Sequence, residues 1–112
     1  MRYMLALAVA LGCIQSANAA STGMDLQRWC SAVDDGTIDG NRCDAYMLGF
    51  VHALSLASDS KVWCLPDNLT RGQSVLIVRK WMRDNPEELH QSAGVVASRA
   101  LLSAFACKKR AK

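Results

Sequence analysis

The apolar positions of this chain follow helical periodicity in four stretches, and strand-like alternation is nearly absent. The first stretch follows Thr22 and Asp25, which have the spacing of a capping box. Its apolar residues then recur at the helical spacing i, i+3, i+4 and i+7: Leu26, Trp29, Cys30 and Val33. Residues 34–41 have the composition of a loop. Asn41 is the predicted cap of a second helix, which runs to about Ser58.

The second half of the chain predicts two more helices after a connection at residues 58–68. Thr70 and Gln73 have capping-box spacing and predict a helix over 71–84. Asn85-Pro86-Glu87-Glu88 combines a cap, a proline at the first helical position and an acid three residues after the cap. One apolar stripe continues to the end: Leu89, Ala93, Val96, Ala97, Ala100, Leu101, Ala104 and Phe105. We therefore expect a small all-α fold, a bundle of four antiparallel helices.

The first 19 residues have the features of a secretory signal peptide. A single arginine precedes an apolar run from Met4 to Ile14, and Ala17-Asn18-Ala19 places small residues where a signal peptidase recognises them. The apolar run is shorter than the ~20 residues that a membrane span needs. A lipoprotein signal acylated at Cys13 is the weaker alternative, because the residues before it match the usual pattern poorly. We predict a cleaved leader over residues 1–19 and a single mature domain over residues 20–112.

Removal of the leader changes the charge of the protein. The whole chain has 13 Lys and Arg against 10 Asp and Glu, and loss of Arg2 leaves 12 against 10, a net charge of +2. Four of these positive charges lie in the last five residues, KKRAK, so the domain before them has a net charge of −2. A slightly acidic domain with a short basic tail is not the pattern of a nucleic-acid-binding protein.

Four cysteines remain after Cys13 leaves with the leader: Cys30, Cys43, Cys64 and Cys107. An even number in a small exported chain predicts two disulfides formed in an oxidising compartment. An unbroken second helix separates Cys43 from Cys64 by roughly 25–30 Å, so these two cannot pair. Up-down connectivity brings Cys64 to the end of the bundle that holds Cys107. We therefore predict the disulfides Cys30–Cys43 and Cys64–Cys107.

The second helix carries a cysteine, a tyrosine and a histidine in an apolar run, CDAYMLGFVHAL. At ~100° per residue, one face collects the residues that we expect in the core: Cys43, Tyr46, Met47, Phe50, Leu54 and Ala57. His52 points the other way, among the apolar and small residues Ala45, Leu48, Gly49 and Leu56. We expect His52 to lie on or near a packing surface between subunits, where another helix can approach closely.

No catalytic, cofactor or metal site is predicted. Nucleophilic catalysis with His52 needs a free cysteine or a serine with an orienting acid, and every mature cysteine is used in a predicted disulfide. The cysteines are dispersed, and neither C-x-x-C nor H-x-x-x-H spacing suggests a zinc site. The residues alone therefore indicate a small exported helical protein that acts by binding, either as a protein inhibitor or as a stress chaperone.

Five short motifs follow one another between residues 30 and 107. They are Cys43 with Tyr46 and Gly49, Cys64-Leu65-Pro66, Thr70 with Gln73, Pro86-Glu87 with Leu89 and His90, and Ala100-Leu101 with Phe105 and Cys107. In this order they resemble the Rap/Tai immunity proteins of type VI secretion systems. Two positions depart from the family: His52 stands where many relatives carry an aspartate, and Ala106 replaces a common proline.

The resemblance implies a periplasmic protein, not an enzyme, that binds a peptidoglycan-cleaving amidase effector and blocks it sterically, often as a homodimer. We expect the partner-binding residues in the connection after the second helix and on the outer side of that helix: Asp59, Ser60, Lys61, Leu48, His52 and Leu56. The alternative is a small helical periplasmic chaperone that exposes hydrophobic surface when its carboxylates are protonated at low pH.

Overall fold

The computed structural model describes residues 21–57 and 64–107, and the predicted leader lies outside these ranges. The helices in chain order are α1 (Gly23–Ser31), α2 (Ile38–Ala57), α3 (Arg71–Asp84) and α4 (Ala93–Phe105), with a short 3-10 helix at Pro86–Glu88. They form a small antiparallel bundle in which α1 and α3 each pack against the other three helices. The predicted all-α four-helix fold is confirmed.

The core of the bundle is apolar. Its buried members are Leu26, Cys30, Cys43, Met47, Val75, Val78, Met82, Leu89, Ala93, Val96, Ala97, Ala100 and Leu101. Within the described ranges Ser74 is the one buried polar side chain, and its hydroxyl donates to the Arg71 carbonyl at 2.7 Å. Burial of these side chains, at about 25 cal/mol per Å² of apolar area, is therefore the main favourable term that holds the helices together.

Two of the predicted caps are confirmed by their hydrogen bonds. Thr22 Oγ1 accepts from the Asp25 amide at 3.3 Å, while the Thr22 amide donates to the Asp25 carboxylate at 2.9 Å, so both halves of the capping box are present. Thr70 Oγ1 accepts from the Gln73 amide at 3.1 Å at the start of α3. Both caps satisfy amide groups that the first helical turn leaves without a carbonyl partner.

The second helix begins at Ile38, four residues before Arg42, where a cap on Asn41 would start it. Thr37 Oγ1 instead accepts a hydrogen bond from the Gly40 amide at 3.3 Å. Gly40 is buried, and a Cβ at this position would overlap the Ala32 carbonyl oxygen. The chain therefore returns past the end of α1 at a distance that only glycine permits.

The start of the last helix was predicted wrongly. Pro86–Glu88 forms only a single 3-10 turn, and the Asn85 side chain donates back to the Trp81 carbonyl at 2.8 Å. The α-helix begins at Ala93, and Ser92 is its cap.

The helix breaks here because the residues before Ala93 bind the beginning of α1. The Gly23 amide donates to the Gln91 carbonyl at 2.8 Å, and the Met24 amide donates to the Leu89 carbonyl at 3.0 Å. In return, the Ala93 amide donates to the Ser21 carbonyl at 2.8 Å. A continuous helix would use the same carbonyls for its own hydrogen bonds, so the turn and the start of α1 depend on each other.

Both predicted disulfides are confirmed, and the Cα atoms of each pair are 4.9 Å apart. Cys30–Cys43 joins α1 to α2 inside the core. Cys64–Cys107 joins the segment before α3 to the residue that follows Ala106 at the end of α4. Beside it, the Cys64 amide donates to the Phe105 carbonyl at 3.1 Å.

Candidate partner-binding site

The inner face of α2 fixes the orientation of the whole helix. Cys43 and Met47 are buried, and Tyr46, Phe50 and Leu54 pack against the core with part of their surface exposed, largely as predicted. Ala57 is the exception: it is exposed, because it lies at the carboxyl end of α2 beyond the last residue that contacts the core.

Three aromatic rings support this orientation. The Tyr46 ring lies between Trp29 and Phe50, with centroid distances of 6.2 and 6.1 Å, within the range of favourable aromatic pairs. Burial raises the pKa of the Tyr46 hydroxyl, so the phenol stays neutral at physiological pH. Tyr46 therefore anchors α2 to α1 and is not prepared to act as a base.

The outer face of α2 is exposed along its length, and its members are Ala45, Leu48, Gly49, His52, Ala53 and Leu56. Leu48 is 43% exposed and Leu56 is 90% exposed. Two large aliphatic side chains and several small residues on one side of a single helix make an apolar strip. Contiguous apolar surface of this kind is a common feature of protein contact sites.

A groove runs along one side of this face. Its cavity volume is about 450 Å³, and we call it the α2 groove. One wall is α2, with Leu48, Val51, His52 and Ser55. The other wall is the segment 65–69, with Leu65, Pro66, Asp67 and Leu69, and Arg71 at the start of α3 adjoins it. Polar and apolar surface line the groove in about equal measure, since aliphatic side chains alternate with His52, Ser55, Asp67 and Arg71. A mixed lining of this kind suits a protein or peptide segment with both apolar and polar groups.

Charged groups surround the groove without filling it. The Arg71 guanidinium lies 3.5 Å from the Asp44 carboxylate, an ion pair with both side chains partly exposed. Such a pair contributes little to stability because water screens it. Arg71, Asp67 and His52 therefore remain able to contact a partner at the groove edge.

The predicted contact residues have different outcomes. Leu48 and His52 both line the α2 groove, whereas Leu56 lies on the outer face but not in the groove. Asp59, Ser60 and Lys61 lie outside the described residues. The opposite wall, Leu65 to Leu69, was not predicted, although the predicted Cys64–Cys107 disulfide already implied that this segment returns along the bundle.

Within residues 21–57 and 64–107, no group of three or more His, Cys, Asp or Glu side chains is arranged to hold a metal ion. His90, which was predicted near the start of the last helix, lies in the turn before α4, where its Nδ1 is 2.9 Å from the Glu87 carbonyl oxygen. No helix in the described ranges is long and apolar enough to cross a membrane.

The amino-acid sequence was compared with models of known protein families, and one family matches. The sequence model described as Rap1a immunity proteins matches residues 22–107. The chain belongs to the Rap1a immunity protein family. The match spans all four helices and both disulfides of this Rap1a protein. No curated protein and no solved structure matches the chain.

Membership suggests that this Rap1a protein has an immunity role against a type VI effector. It also suggests an inhibitor that acts without catalysis and binds a cognate effector.

Proposed function

We propose that this Rap1a family member is a periplasmic immunity protein that binds a peptidoglycan amidase delivered by type VI secretion and blocks its cleft. The observation that carries the proposal is the family match over residues 22–107. The geometry agrees with the same function, because α2 exposes the large apolar side chains of Leu48 and Leu56, which a partner protein could cover.

A periplasmic location agrees with the sequence and with the disulfides. Residues 1–19 have the pattern of a cleaved leader, which would release the domain 20–112 after export. Disulfides form and persist in oxidising compartments such as the bacterial periplasm, and this domain has two. An amidase that cleaves peptidoglycan also acts in that compartment.

Inhibition would be steric. A segment of the amidase would occupy the α2 groove between Leu48 and Leu65. The polar residues Asp59, Ser60 and Lys61, which lie outside the described ranges, would add further contacts. Substrate would then be excluded by the bulk of the bundle. An interface of ~1,600 Å² is typical of specific protein pairs, so the contact must continue beyond the groove.

Dimerisation would use the neighbouring strip of the outer face. At ~100° per residue, Ala45, Gly49, Ala53 and Leu56 form a strip beside the groove rather than within it. A side chain at Gly49 would meet no other atom within 4 Å, so the surface is open to a second copy. Small residues four apart allow two helices to approach closely, and the exposed Leu56 adds apolar area.

The proposed function predicts a gene for a small amidase next to the gene of this chain, and binding is tested with the product of that gene. We expect the purified immunity protein to bind that amidase and to stop its cleavage of purified peptidoglycan. Leu48→Glu should weaken binding by about tenfold or more, because it places a charge in the groove. Titration calorimetry and an amidase assay measure the two effects.

Leu76→Glu is the matched control, because Leu76 is 64% exposed on α3, outside the groove. It should bind the amidase as the wild type does. Loss of binding in Leu76→Glu but not in Leu48→Glu would move the site away from α2. A wild-type protein that neither binds nor inhibits the amidase would refute the proposed function.

The dimer is tested by analytical sedimentation of Gly49→Leu, Leu56→Glu and Leu76→Glu. The first two should shift the protein from dimer to monomer and keep the helical circular dichroism, while Leu76→Glu should remain dimeric. A wild-type protein that sediments as a monomer at high concentration would contradict the dimer and leave the amidase-binding proposal standing.

A further inference from the structure

The two disulfides differ in their access to solvent. Cys30 and Cys43 are both 0% exposed and belong to the apolar core. Cys64 is exposed, and Cys107 is partly exposed. A thiolate must reach a sulfur atom to break a disulfide, so access controls the rate of exchange. A reductant can therefore reach Cys64–Cys107 in the folded protein, whereas Cys30–Cys43 is shielded until the bundle opens.

The accessible disulfide also restrains one wall of the α2 groove. The wall, residues 65–69, continues into α3 at one end and is linked through Cys64 to Cys107 at the other. Within the described chain, the hydrogen bond from the Cys64 amide to the Phe105 carbonyl is the one backbone bond that joins this wall to another element. Leu65 and Leu69 are partly buried, but neither is among the apolar residues that pack against the core of the bundle.

We infer that Cys64–Cys107 is a redox-sensitive restraint on the partner-binding groove. Its reduction by a thiol reductant releases residues 65–69 and lowers the affinity for the partner, while the bundle itself stays folded. This effect on affinity rests on the proposed function. The release of the wall does not, because it follows from the placement of the disulfide alone.

The chemistry is thiol–disulfide exchange with a dithiol. One thiolate of the reductant attacks Sγ of Cys64, the bond between the two cysteines breaks, and Cys107 leaves as a thiolate that takes up a proton. The second thiolate of the reductant then attacks the reductant sulfur that is bonded to Cys64, and Cys64 leaves as a thiolate that takes up a proton. The reductant becomes a disulfide, and its two electrons end on the two cysteine sulfurs.

The first experiment follows both disulfides while the oxidised mature protein is reduced with dithiothreitol near neutral pH. The reagent reacts through its thiolate form, so the pH is kept constant throughout the time course. Iodoacetamide quenches the reaction, and peptide mass spectrometry identifies the alkylated cysteines. We expect a period in which Cys64 and Cys107 are alkylated while Cys30 and Cys43 are not. Simultaneous reduction, or earlier reduction of Cys30–Cys43, would overturn the inference.

Hydrogen exchange of the selectively reduced protein tests the wall. Amides in residues 65–69 should exchange faster after reduction, while those of α1 and the buried part of α3 should be unchanged. The variant Cys64→Ser with Cys107→Ser should reproduce this pattern without reductant. If that variant fails to fold, the time course of the wild type still decides. Unchanged exchange in the wall after selective reduction would refute its release.

The affinity for the amidase, measured in both redox states, distinguishes a failure of this inference from a failure of the proposed function. The selectively reduced protein should bind about thirtyfold more weakly, because a released segment must be ordered again on binding. Equal affinity in both redox states would overturn the control of binding by this disulfide. Absence of binding in the oxidised protein would refute the proposed function, while the exchange data would still judge the release of the wall.

Discussion

Gly40 shows how one missing side chain sets the distance between two helices. It lies in the first turn of α2, directly against the end of α1, where a Cβ would overlap the Ala32 carbonyl oxygen and lie 3.0 Å from Val33 Cα. The obstacle is backbone, which cannot rotate away as a side chain can. The close turn also brings Cys43 to Cys30, so this glycine supports the buried disulfide.

We therefore expect Gly40→Ala to destabilise the protein by about 1–3 kcal/mol, the usual cost of forcing extra volume into a packed site. Gly72→Ala is the matched control, since a Cβ there meets nothing within 4 Å. It should gain ~0.5–1 kcal/mol from the better helix propensity of alanine. Urea unfolding measures both changes. A Gly40→Ala variant as stable as the wild type would mean that the two helices can move apart freely.

At the scale of a helix, the capping box of α1 connects sequence to acid stability. The amide of Thr22 donates a hydrogen bond to the Asp25 carboxylate, and this bond is the main reason why the pKa of Asp25 lies below its usual 3.8. Desolvation opposes the effect, while the Thr22 hydroxyl and Arg28 add to it. A carboxylate whose pKa is lower in the folded state stabilises the fold fully at pH values above its pKa in the unfolded state. This contribution is lost as the pH falls through its pKa in the folded state.

Asp25→Asn should therefore lower the melting temperature at pH 6, and the gap from the wild type should narrow as the pH falls below about 3.8. Asp35→Asn, in the exposed loop after α1, should follow the wild type throughout. Thermal unfolding by circular dichroism between pH 6 and pH 2 measures the three curves. A gap between Asp25→Asn and the wild type that stays constant over this range would contradict the role of the ionised carboxylate.

Local patterns predicted the elements well where the hydrogen bonds are local. Thr22 and Thr70 were found because each cap bonds an amide three residues away. Asn85-Pro86 has an equally strong local pattern, yet α4 starts later because the carbonyls of Leu89 and Gln91 accept hydrogen bonds from α1. A contact between distant parts of the chain overrode the local preference.

For a related reason, the sequence predicted only one of the two walls of the candidate site. The periodicity of α2 placed Leu48 and His52 outside the core, because a helix face depends only on spacing. The opposite wall, with Leu65 and Leu69, has no periodicity of its own. Its position depends on the Cys64–Cys107 disulfide, so it could be found only by combining that pairing with the length of α2.

At the scale of the whole molecule, the described part of the core contains no charged side chain, and this argues against the chaperone alternative. None of the described carboxylates is buried. Acid expansion is driven by protonation of carboxylates that are paired or buried in the folded state. The paired carboxylates of Asp25, Asp44 and Glu88 are all partly exposed, and each surface ion pair contributes little to stability. Two disulfides further limit expansion of the chain.

We expect the oxidised protein to retain its near-ultraviolet circular dichroism at pH 2 and not to prevent aggregation of a model client protein. The near-ultraviolet spectrum reports the fixed packing of Trp29 and Tyr46, which would be lost in an expanded state. Light scattering of the client measures the second property. Loss of the near-ultraviolet spectrum together with suppression of aggregation would favour an acid-stress chaperone over an immunity protein.

The hydrogen bonds between the start of α1 and the turn before α4 have a consequence for the order of folding. Gly23 and Met24 belong to the first helix to be synthesised, but their acceptors belong to the last quarter of the chain. The amides of Gly23 and Met24 therefore lack the acceptors that they have in the folded protein until residues 89–91 are available. A chain that crosses a membrane from its amino end would remain incompletely folded for most of its passage, which suits a channel that admits only unfolded polypeptide. A carboxyl-terminal truncation should accordingly destabilise the beginning of the domain, not only its end.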